Sequence, residues 1–148
     1  MKTRIGFISN SSSSSFIVIF DKKPRSAKEL QKAMFGDKET VAAWRDPVPT
    51  KMAAESIFKS LRKQKPLPIR KAIMLLETGV VERGGKSIYP HDAESAEEMQ
   101  RVMAELANLA KGRLVFEFKY SDNDGNFGST MEHGDIFRNF DHFIVSHH

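Results

Sequence analysis

LVFEFKYSDNDGNFGSTMEHGDIFRNFDHFIVSHH, residues 114–148, holds the strand pattern on which the fold turns and most of the chain's unusual polar chemistry. Leu114, Phe116, Phe118 and Tyr120 alternate with Val115, Glu117 and Lys119, the period of a strand with one buried face. Asp124-Gly125 offers the backbone freedom of a hairpin turn. The pattern therefore predicts a return strand over 127–133, a loop or short helical turn over 134–139, and a last strand over 142–147. Side-chain alternation in those strands would put Phe127, Met131, Phe143 and Val145 in the core and carry His133 and His147 inward with them. Glu132, His142 and His148 would then point to the other face.

Working outward from this tail, the next strong signal is Phe16-Ile17-Val18-Ile19-Phe20, five consecutive apolar residues rich in β-branching. Such a run predicts a strand covered on both faces, central in a sheet. Residues 1–15 before it read as a serine-rich lead-in whose hydroxyls satisfy nearby backbone groups. The functional alternative makes Asn10, Ser11, Ser12, Ser13, Ser14 and Ser15 a binding segment for an anion or a partner, or a site of modification.

The opening phrase Arg4-Ile5-Gly6-Phe7-Ile8-Ser9-Asn10, with Ser11 to Ser15 and Phe16 after it, resembles the start of a group of small uncharacterised bacteriophage and bacterial proteins that begin GF(I/V)SNSSSSSF. The DNDG turn (Asp122 to Gly125), the EHGD phrase (Glu132 to Asp135) and the closing Ser146-His147-His148 are similar to the C-termini of that group. The resemblance covers both ends of the chain and the middle loosely. It implies a phage-type origin and a host-cell setting, and it brings no activity with it.

Between the two ends the sequence reads as helices. Ser26-Ala27-Lys28-Glu29 is a capping box, followed by Leu30, Ala33 and Met34 on one stripe and Gly36 as the stop. Residues 39–44 suggest a short helical turn, with Trp44 as a core lid or a partner contact. Thr50 is placed to cap a second helix to about Gln64, whose apolar stripe is Ala54, Ile57, Phe58 and Leu61. Pro68 suits the first turn of a third helix over 69–81, although 72–76 also reads as a buried strand. Gly84-Gly85 is a loop without the context of a phosphate-binding motif. Asp92 or Ser95 caps the clearest helix, to about Ala110, with Met99, Val102, Met103, Leu106 and Leu109 on its stripe.

These elements predict one α+β domain over 1–148, with a small mainly antiparallel sheet of about four strands and about four helices packed on one face. The 148 residues suffice for a core without staples, and the absence of cysteine excludes disulfides, thiolate catalysis and zinc held by sulfur. No run is long enough to cross a bilayer, and charge at the start is followed by serine rather than an apolar stretch, so no leader is expected and a cytoplasmic protein is. A net charge of +4 is mild, and the basic residues Lys59, Arg62, Lys63, Lys65, Arg70 and Lys71 read first as a solvated helix face and second as a nucleic-acid contact.

Two chemistries were open to the tail. A calcium loop fails on register: with Gly125 as its glycine, Tyr120 stands at the first ligand position and Met131 at the last. A zinc or manganese site on His133, Asp135 and His147, holding an activated water for hydrolysis, is the other. The leading expectation is instead a non-enzymatic accessory module that binds a host or phage protein through the serine lead-in and the C-terminal polar edge, with the metal-dependent hydrolase as its rival.

Overall fold

The computed structural model describes residues 12–147. Its centre is a five-stranded, wholly antiparallel sheet in the order β5-β4-β7-β1-β6, built from β1 (Ser13–Phe20), β4 (Val80–Arg83), β5 (Lys86–Ile88), β6 (Leu114–Ser121) and β7 (His142–His147). A separate ribbon pairs β2 (Thr40–Val41) with β3 (Val48–Pro49). The α-helices among the described residues are α1 (Ala27–Phe35), α2 (Thr50–Lys63), α3 (Ile69–Leu75), α4 (Ala96–Leu109) and α5 (Gly125–His133). The expected α+β class, with an antiparallel sheet, is what the chain adopts.

The helices do not share one face as expected; they cover both. Phe16, Val18 and Phe20 of β1 join Phe116 and Phe118 of β6 in a core roofed by α1, α2 and α5. Ile17 and Ile19, which alternate with them, join Val81, Val115, Phe143 and Val145 under α3 and α4. The physical reason is β1 itself, whose five apolar side chains are all 3% exposed or less and can be buried only by cover on both sides. β1 pairs with β6 on one side (Phe16 opposite Phe118) and β7 on the other (Phe16 opposite Ile144).

Local expectations fare unevenly. At α1, Ser26 accepts from the Glu29 amide at 3.1 Å and the chain turns at Gly36 with φ 63°. α2 starts at the expected residue but without the expected cap: buried Thr50 donates its hydroxyl to the Lys38 carbonyl (2.8 Å) and receives Gln31 (2.9 Å), tying α2 back to the loop after α1. Residues 39–44 form a strand and bend instead of a helical turn. The span 69–81 divides, with helix to Leu75 and strand from Val80, so the helical reading holds over 69–75 and the buried-strand reading of 72–76 does not. Before α4 it is Asp92 that accepts from the Glu94 amide (3.1 Å), capping a short 3-10 turn, while the Ser95 side chain makes no cap.

The largest departure is over 125–133. No return strand forms there; Ser121 caps a 3-10 turn at Asp122–Asp124, and Gly125 opens helix α5. Pairing for β7 comes from β1 and β4. The outer edge of β6 faces the link between α2 and α3, where the Leu67 amide donates to the Val115 carbonyl (2.7 Å) and the Gln64 side chain to the Glu117 carbonyl (2.8 Å).

Candidate functional site

β1 begins earlier than its apolar run, and that extension creates the polar centre of the molecule. Ser13, Ser14 and Ser15 are part of the strand, and Ser14 and Ser15 are buried, 5% and 1% exposed. A serine in a closed strand must place its hydroxyl on a partner, because a buried polar group without one is destabilising. Alternation sends Ser12 and Ser14 toward α5 and Ser15 toward the opposite layer. The lead-in expected to lie outside the core is thus, from Ser13 onward, an integral strand, while Asn10 and Ser11 lie outside the described residues.

On the α5 side the partner is Glu132, in the last turn of the helix, whose side chain is 1% exposed. Ser14 donates to one of its oxygens at 2.9 Å and Ser12 to the other at 3.1 Å. The Ser12 hydroxyl also lies 3.0 Å from an oxygen of Asp122, whose second oxygen accepts the Ser12 amide at 3.2 Å. His133 Nε2 stands 3.2 Å from Glu132, with its ring well exposed. Asp122, Glu132 and His133 each offer a ligand atom within 4.8 Å of the others. They converge because α5 lies hard against the end of β6: a Cβ on Gly128 would collide with the Ser121 carbonyl and with Asp124. Beside them, burial pushes the Tyr120 phenol well above its usual value, against the weaker opposing effect of its hydrogen bond with Ser56.

The expected metal set is dispersed. His147 is on the other side of the sheet, its Nε2 3.2 Å from the Ser15 hydroxyl. His133 ends α5, and Asp135 sits in the following loop at φ 52°, near Lys38 and Arg138. The reason lies in α5: the parity that would have carried His133 inward with His147 applies to a strand, and a helix has a different period. The Ser15 and His147 pair has the composition of a nucleophile and base, but Ser15 is closed off from solvent. His142, which lies outside the expected metal set, turns its Nδ1 to the Phe140 carbonyl at 2.9 Å.

Beside this cluster Trp44 is not the core lid that was one of its two expected roles. Trp44 is 82% exposed, with the Arg45 guanidinium 5.1 Å from its ring. Its loop is pinned to α5 by Asn126, whose side chain accepts from the Arg45 amide (3.1 Å) and donates to the Asp46 carbonyl (2.9 Å). Trp44 stands between two shallow grooves of about 390 and 420 Å³, one floored by Asp122 and Asn126, the other by Thr130 and His133, with Ser129 shared. An indole held out by side-chain hydrogen bonds to its loop is presented at low entropic cost on binding. Comparison with known proteins finds no matching family model, no matching curated protein and no matching solved structure.

Proposed function

We propose that the chain is a small phage-type accessory module that binds a protein partner through the face carrying Trp44. The observation that carries this reading is the 82% exposure of the chain's single tryptophan on a loop fastened at two points by Asn126. Tryptophan and arginine dominate the energetics of protein interfaces, and here they lie side by side. The surrounding charge favours protein over nucleic acid: Asp46, Asp122 and Asp124 share the region with Arg45 and would repel a phosphate backbone. The rival hydrolase loses the His133 and His147 pairing on which it rested.

A photo-crosslinking amino acid placed at position 44 tests the proposal, with the same group at exposed Met74 on α3 as the comparison. In host-cell extract, position 44 gives a discrete protein adduct that excess wild-type chain competes away and excess Trp44→Ala chain does not. Equal adducts from position 74, or equal competition by both chains, would remove the support. Capture of nucleic acid instead, weakening steeply with salt, would move the interface to the basic face of α2.

A further inference from the structure

We infer that Asp122, Glu132 and His133 form a binding site for one divalent cation, manganese or zinc in class, and that the cation ties the turn after β6 to the end of α5. Four observations carry it. The ligand atoms already lie within 4.8 Å of one another, in a mixed carboxylate and imidazole set suited to these ions. The Glu132 side chain is 1% exposed, and no lysine or arginine among the described residues pairs with it or with Asp122. The partners of Glu132 are the Ser12 and Ser14 hydroxyls and His133 Nε2 at 3.2 Å, and a bound cation would add the positive charge that hydroxyls do not supply.

The third observation concerns protons. A serine hydroxyl has one to give, yet the Ser12 oxygen lies within hydrogen-bond distance of carboxylates on both Asp122 (3.0 Å) and Glu132 (3.1 Å). With Ser12 donating to Glu132, the facing Asp122 oxygen is left without that proton and is available to a cation. The fourth is freedom to close. Ligand atoms bonded at about 2.1 Å stand roughly 3–4 Å apart around a metal, so the set must contract by on the order of 1 Å. Asp122 and His133 are exposed and can swing inward, while Glu132 is held by Ser14. Three protein ligands leave further coordination positions to water, opening toward the grooves beside Trp44.

The test uses the full chain, purified without a metal-affinity column and stripped with chelator, then titrated calorimetrically with manganese chloride and, separately, zinc chloride. Cobalt chloride serves as a visible-absorption probe of imidazole coordination. The expected result is saturable one-to-one binding, a rise in the midpoint of thermal unfolding, and a loss of affinity of at least about tenfold in His133→Gln and in Asp122→Asn. Both substituted residues are exposed, so these variants keep the fold even where Glu132→Gln does not, and the unfolding midpoint of each metal-free variant checks this. Absence of saturable binding overturns the inference. So does binding that survives both substitutions, or that disappears in His147→Ala while surviving in His133→Gln, which would assign the ion to the C-terminal histidines.

Discussion

Glu132 shows how much a single buried side chain can ask of a distant one. Its carboxylate needs donors, and they come from Ser12 and Ser14, more than a hundred residues earlier in the chain. Ser14→Ala removes a fully enclosed hydroxyl from a charged acceptor and is expected to destabilise the fold by about 1.5–3 kcal/mol. Ser12→Ala, at a more open position, should fall nearer ~0.5–1 kcal/mol. Urea denaturation of the two variants reads the difference, and equal losses would contradict the burial argument. No local pattern in the sequence marks these serines as core residues, because what makes them so is the identity of a residue on another element. Tyr120 carries a second residue-scale consequence. Its folded pKa lies above that of the unfolded chain, so as pH rises the unfolded chain releases the phenolic proton first. Stability from this group is fully present below about pH 10 and declines above it. Tyr120→Phe is expected to flatten that alkaline decline, measured as the urea midpoint at about pH 8 and about pH 11.

At the scale of elements, α5 separates what the sequence disclosed from what it concealed. Phe127 and Met131 are four apart, a spacing that fits one face of a strand and one face of a helix alike. The Asp124-Gly125 pair reads as a hairpin turn, yet Gly125 uses its positive φ of 75° to leave a 3-10 turn and enter a helix. A strand over 127–133 would have buried Ser129 beside Phe127 and Met131; the helix instead buries Gly128, Thr130, Met131 and Glu132. That polar residue on the supposed inner face was the available clue. β1, β6, β7, α1 and α4 were legible because their periodicity or caps are unambiguous within ten residues or so. The metal set failed together with the strand, since its parity was inherited from it. Gly128→Ala gives an element-scale test. Alanine is the better helix former, but its Cβ would meet the Ser121 carbonyl and Asp124, so the expected sign is destabilising, about 1–3 kcal/mol by denaturation. A gain in stability would mean that α5 does not lie against β6 as described.

For the molecule as a whole, one strand feeds two cores. Because Ile17 and Ile19 serve the layer under α3 and α4 while Phe16, Val18 and Phe20 serve the other, the layers cannot come apart independently. Ile19→Ala is expected to lower global stability by about 2–5 kcal/mol and to leave the unfolding transitions by far-ultraviolet and near-ultraviolet circular dichroism coincident. Separate transitions would show that the two layers unfold one at a time. The five-residue apolar run already implied cover on both sides, so the two-layered helix arrangement was present in the sequence for a reader who took β1 at its word. The pairing of β7 between β1 and β4 was not, because it depends on strands far apart in the chain.

The segment lying along β6 has one more effect. Its backbone reaches the sheet through Leu67 alone, and on either side of that residue stand Pro66 and Pro68, which have no amide hydrogen to offer. At Val115 the border of the sheet is therefore occupied by a piece of chain with a single amide to offer, which hinders another molecule from adding a sixth strand there.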